Sequence, residues 1–177
     1  MSFIKGDYIF IHIPKTGGVS VKHVLNNSKQ SGHETLHQLS IMGFDLFGTP
    51  YNPEHKIIAC VRDPLTRFIS AYYYCKDRHA KNVELPDKIE ELIEQLPFRS
   101  DIKGWIHFRP MTEFLWLPEP PLIDIIRFET LEKDFFDLFK QKIGKVNGTK
   151  YKVPKLDNVQ KNIIRDCYAM DCKIFNY

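Results

Sequence analysis

Three short apolar runs, each followed by a stretch with helical spacing, confine this chain to an α/β architecture. Tyr8-Ile9-Phe10-Ile11-His12-Ile13 and Ile57-Ile58-Ala59-Cys60-Val61 are near-continuous apolar runs, as expected of strands covered on both faces. Ile123 to Phe128 reads as a third strand. The first run leads into Val19–Leu25, with Val21, Val24 and Leu25 on one side. The second leads into a helix from Pro64 to about Lys76, proline suiting a first helical turn. The third leads into Leu131–Lys142, with Leu131, Phe135, Leu138 and Phe139 inward. Ile89, Leu92, Ile93 and Leu96 mark a further amphipathic helix. Asp157 caps a last one, whose inner side is Val159 or Ile163, Cys167 and Met170. Alternation of this kind predicts a central parallel sheet with right-handed crossovers. A length of 177 residues fits a single domain over 1–177.

Ligands of such sheets bind beyond the carboxyl ends of the strands, so the chemistry is sought there. Charge narrows the ligand: 25 Lys and Arg against 22 Asp and Glu leave a net +3. That surplus is too small for nucleic-acid binding, which needs a clustered basic domain, yet it suits a local pocket for an anion. The N-terminal apolar run is short and broken by His12, unlike a signal peptide, and no run approaches the ~18 apolar residues of a membrane span. The expectation is a cytoplasmic protein without a membrane span. Cys60, Cys75, Cys167 and Cys172 form no CxxC pair and no metal-ligand spacing. They read as buried or half-buried thiols, and no metal is expected.

The first strand runs into Pro14-Lys15-Thr16-Gly17-Gly18-Val19-Ser20. Glycines let backbone N–H groups crowd an anion, and the start of a helix adds partial positive charge. A phosphate there would meet several N–H groups, the Thr16 hydroxyl and the Lys15 ammonium. The competing reading is a tight turn with an exposed lysine. The segment is not the nucleoside-triphosphatase loop, in which the lysine follows the glycines and precedes a hydroxyl that serves magnesium. A small-metabolite kinase is disfavoured by that order and by the lack of a recognisable magnesium-binding aspartate.

The second strand runs into Arg62-Asp63-Pro64-Leu65-Thr66-Arg67-Phe68-Ile69-Ser70-Ala71-Tyr72. Arg62 leaves the strand end and Ser70 follows eight residues later, three beyond Arg67 on a helix. Arg62 and Ser70 are thereby placed to converge on one small anion, the arginine through its fork of donors. The alternative is a surface salt bridge from Arg62 to Asp63 or a glutamate, with Ser70 solvated. Two anion sites at neighbouring strand ends imply one ligand with two separated phosphates.

The pairing of I-H-I-P-K-T-G-G-V-S with V-R-D-P-L-T-R-F-I-S-A-Y resembles the sulfotransferases that use 3′-phosphoadenosine 5′-phosphosulfate. It is most similar to their carbohydrate branch, which includes the heparan sulfate 2-O- and 6-O-sulfotransferases. Weaker likenesses follow at His107–Leu115 (H-x-x-P-Q-x-x-F-L, with Met111 in place of Gln), at Arg127–Leu131 and at Tyr168–Tyr177. The resemblance spans nearly the whole chain and implies a three-layer α/β sandwich of the P-loop nucleotide-hydrolase-like sulfotransferase type.

It also implies roles. Lys15, Thr16, Gly17, Gly18, Val19 and Ser20 would hold the 5′-phosphosulfate, with Lys15 meeting charge on the leaving oxygen. Arg62 and Ser70 would hold the 3′-phosphate. The general base would be a histidine after the first helix: His33 is the better positional match, and His37 is the alternative. In related enzymes a late basic loop closes on the nucleotide, which would fall to Lys150 or Lys152. The implied reaction moves a sulfuryl group to an acceptor hydroxyl, of a carbohydrate or glycolipid, in line and without an essential metal. A non-catalytic binder of adenosine 3′,5′-bisphosphate is the alternative from another class.

Overall fold

The structure is a computed structural model that describes residues 2–25, 32–47, 52, 54–78, 84–117, 122–144 and 151–177. In chain order the elements are β1 (Phe3–Lys5), β2 (Tyr8–Ile11), α1 (Gly18–Leu25), α2 (Leu36–Phe47) and β3 (Lys56–Val61). Then come α3 (Pro64–Asp77), α4 (Ile89–Gln95), α5 (Ser100–Gly104) and α6 (Met111–Leu115). The last are β4 (Ile123–Arg127), a 3-10 turn (Phe128–Thr130), α7 (Leu131–Phe139), α8 (Asn158–Cys167) and α9 (Ala169–Phe175). They fall into two compact units, Met1–Arg62 with Met111–Gly148, and Asp63–Pro110 with Thr149–Tyr177.

The first unit holds the whole sheet, in the order β1-β2-β3-β4. β2, β3 and β4 are parallel, in a register that sets Ile9 beside Ile57 and Ile57 beside Ile123. This is the α/β protein that the alternation of apolar runs predicts. Burial explains why those runs lack polar alternation: from Ile57 to Val61 every residue of β3 is buried. Burial also pushes the Cys60 thiol far above its ordinary range, with the Asp134 carboxylate adding to the effect. Cys60 is a packing residue, and the other three cysteines are likewise thiols outside any disulfide.

The apolar runs give no sign of β1, which pairs antiparallel with β2 through Phe3 and Phe10. Three residues are too few to display a period, and the hairpin depends on positive φ (59°) at Gly6. At the far edge, Asp134 of α7 accepts from the Arg127 N–H (2.9 Å) and the Thr130 hydroxyl (2.8 Å). That carboxylate fastens α7 to the end of β4. α7 stops earlier than expected, because Lys140 turns left-handed (φ 54°). Leu138, within α7, is exposed rather than inward.

The second unit is helical. Phe68, Tyr72, Leu92, Ile93, Phe108, Ile164 and Tyr168 share its core. Asp63 caps α3 by accepting from the Thr66 N–H at 2.8 Å, with Pro64 in the first turn. Arg67 is the least expected core member: only 2% exposed, it donates to the carbonyls of Arg109 (2.9 Å) and His107 (3.5 Å). The Tyr72 hydroxyl donates to the carbonyls of Pro86 and Asp87, and burial pushes its pKa up to about 12.

The expected last helix divides at Tyr168 into α8 and α9, although Asp157 caps α8 as predicted, in a reciprocal box with Gln160. Its buried side is Ile164, Tyr168, Asp171 and Phe175, whereas Val159 and Met170 are exposed. The stripe lies on different residues because the Tyr168 ring is buried with its hydroxyl satisfied by the Phe108 carbonyl at 2.6 Å. Among the described residues, no helix is long and apolar enough to cross a membrane.

Candidate functional site

Beyond the end of β2, His12 and Ile13 stay buried and the chain turns sharply into α1. Two residues of the turn are left-handed, Lys15 (φ 68°) and Gly17 (φ 89°). For a lysine this conformation costs roughly 1–2 kcal/mol, so the surroundings must impose it. Two constraints are visible. The Thr16 hydroxyl, fully buried, donates back to the Ile13 carbonyl at 2.8 Å. The Lys15 carbonyl accepts from Arg62 Nη1 at 3.3 Å. Thr16 thus spends its proton on the turn itself and shapes the loop from inside.

The paired glycines have separate reasons. A Cβ on Gly17 would lie 3.0 Å from Phe128 Cδ2 and 3.4 Å from Leu131 Cδ2, besides opposing its positive φ. A Cβ on Gly18 would run into the His12 ring, with Nε2 at 2.6 Å. The helix start is therefore pressed against side chains that leave no room for a Cβ. Gly18→Ala is expected to destabilise the protein by roughly 1–3 kcal/mol through overpacking, read as a lower denaturation midpoint. An unchanged midpoint would contradict this packing.

Arg62 emerges from β3 and lies on the Phe128 ring, its Cζ 4.1 Å from the centroid. The same ring therefore backs both Gly17 and Arg62, joining the loop to the ends of β3 and β4. No acidic residue occupies the first turn of α1, whose leading N–H groups have no intrahelical acceptor. Lys15, Arg62 and this helix end put positive charge at the loop.

His33 reaches the same place from the segment before α2. Its Nδ1 lies 2.8 Å from the His12 carbonyl, and its ring centroid 4.6 Å from that of His12. A carbonyl only accepts, so Nδ1 carries a proton, and in the neutral ring the lone pair is then on Nε2. His12 touches both His33 and Gly18, which links the histidine to the loop. His37 instead sets its ring edge-on to Trp116, with centroids 6.0 Å apart.

Val19 is exposed and Ser20 buried, on successive positions of α1. Ser70 is buried on α3, in the second unit. Lys152 is an exposed residue of that unit, and Lys150 lies outside the described residues. Sequence reasoning missed Ser2, His12 and Phe128. A histidine inside an otherwise apolar strand run was the available signal for His12, and none was available for Ser2. Among the described residues, no three His, Cys, Asp or Glu side chains gather as a metal site.

The glycine turn, His33 and Arg62 thus come together at the ends of β2 and β3, at the first βα turn of the sheet. The family model described as the sulfotransferase family matches residues 4–143, and the chain belongs to that family. The match includes the loop, His33, Arg62 and Ser70, and ends before Lys150 and Lys152. No curated protein and no solved structure matches the chain. Sulfuryl transfer is the activity that membership supports.

Proposed function

We propose that the protein transfers a sulfuryl group from 3′-phosphoadenosine 5′-phosphosulfate to the hydroxyl of a carbohydrate or glycolipid acceptor. The observation that carries this reading is the joining of His33, through His12, to a glycine-tight anion loop. The residues fit a doubly anionic nucleotide: Lys15 and Arg62 are separate cations tied by one hydrogen bond at the loop backbone. The acceptor class rests on the likeness of the two motifs to the carbohydrate branch, and Ser70 is proposed from its motif alone. Lys152 and Lys150 are proposed on the same footing, as cations for the 3′-phosphate.

In this mechanism the nucleotide supplies the sulfuryl group. The loop N–H groups and the Lys15 ammonium receive the 5′-phosphate end, where negative charge grows as the bridging bond breaks. Arg62 takes the 3′-phosphate, its plane held by Phe128. His33 Nε2 removes the acceptor hydroxyl proton as the oxygen attacks sulfur. Pre-arrangement of these groups supplies most of the acceleration, as in phosphoryl transfer.

Adenosine 3′,5′-bisphosphate is expected to stabilise the protein by about 2.7 kcal/mol at a hundredfold excess over its dissociation constant. Thermal denaturation with a panel of nucleotides checks this. A curve that no nucleotide moves would remove the assignment.

A further inference from the structure

The β1 edge strand begins beside a residue that joins three parts of the candidate site. Ser2, fully buried, accepts from the His12 N–H at 3.0 Å through its hydroxyl oxygen. The same hydroxyl donates to the Glu34 carbonyl at 3.2 Å. The Ser2 N–H donates to the Gly32 carbonyl at 3.0 Å. One residue thus grips the chain on both sides of His33 and also the residue whose carbonyl receives the His33 proton. The segment is held from its other end as well, because Thr35 and Gln38 close a reciprocal cap on α2, with bonds of 2.9 and 3.2 Å.

We propose that Ser2 is the positioning residue of the histidine base, its hydroxyl fixing the distance from His12 to the His33 segment and so the Nδ1–H tautomer of His33. The proposal rests on the reading of His33 as base. It also explains what β1 contributes, since pairing of Phe3 with Phe10 brings Ser2 alongside the end of β2. Alanine at position 2 keeps the bond from N–H to Gly32 and removes both hydroxyl bonds. The loop is then held by its own glycine packing, and the base loses its anchor to the sheet. A serine with no substrate contact would then govern turnover and leave nucleotide affinity alone.

The test compares Ser2→Ala, Ser2→Thr, His33→Ala and the double variant, in turnover, in adenosine 3′,5′-bisphosphate affinity and in imidazole nitrogen NMR. Ser2→Ala is expected to lower kcat by roughly 10- to 100-fold, the scale of a misplaced catalytic group, with nucleotide affinity unchanged. It should lose the Nδ1–H signal of His33, and Ser2→Thr should restore much of both. In a His33→Ala background, Ser2→Ala should have no further effect on kcat. Full turnover in Ser2→Ala, or losses that multiply in the double variant, would overturn the proposal. If His33→Ala itself keeps full turnover, the base reading fails, and the NMR comparison still decides whether Ser2 sets the tautomer. Should Ser2→Ala not fold, the wild-type and Ser2→Thr spectra decide: Nδ1–H in both supports the proposal, and Nε2–H in the wild type overturns it.

Discussion

His33→Ala is expected to bind adenosine 3′,5′-bisphosphate as the parent does while losing sulfuryl transfer by about 10²–10⁴-fold, the usual contribution of a general base. The separation follows from placement. His33 meets the loop through the His12 carbonyl and ring, whereas the proposed anion donors belong to the turn and to Arg62. Removing the imidazole leaves Gly17 and Gly18 packed against Phe128, Leu131 and His12 as before. An acceptor hydroxyl without a base is a weak nucleophile at neutral pH, so the loss should fall on kcat. Steady-state kinetics with both substrates varied, beside a binding titration, checks the split. Undiminished turnover would move the base elsewhere, with His37 against Trp116 the next candidate.

Arg62→Ala is expected to weaken the nucleotide by roughly 1.5–3 kcal/mol, the range for a hydrogen bond to a charged group. That is about a 10- to 150-fold rise in Kd. The loss has two parts. The guanidinium donor itself disappears, and the Lys15 carbonyl loses the bond that helps hold its left-handed turn. Arg62→Lys should not restore affinity, since an ammonium neither stacks on Phe128 nor offers a planar fork. Adenosine 5′-monophosphate should bind the variant and the parent more nearly alike, because the proposed partner of the missing cation is the 3′-phosphate. Equal affinity of both proteins for the bisphosphate would place that phosphate elsewhere.

Much of the sheet was legible because a parallel strand buried on both faces must be apolar throughout. β3 shows this from Ile57 to Val61. The glycine turn was legible as well, since two adjacent glycines between a strand and a helix signal close approach. What they approach was not, because Phe128 is far away in sequence and His12 carries no local mark of the contact. β1 escaped notice for want of length, and with it Ser2, whose proposed role rests on bonds to residues 10, 30 and 32 positions away. Arg67 was legible only as a residue sharing a helical face with Ser70. Its guanidinium is committed to backbone carbonyls, an outcome no local pattern reveals. On the last helices, Tyr168 hid the buried stripe, because a hydroxyl-bearing ring reads as surface until its partner is known.

Transfer of radiolabelled sulfate is the most direct measurement. The protein is incubated with labelled 3′-phosphoadenosine 5′-phosphosulfate and a mixture of oligosaccharide, glycolipid and small hydroxyl acceptors. Label should appear on a carbohydrate-bearing acceptor, in an ester formed by the parent and nearly absent with His33→Ala. Labelled nucleotide that binds tightly and yields no sulfated acceptor, or equal product from both proteins, would contradict a sulfotransferase working through this histidine.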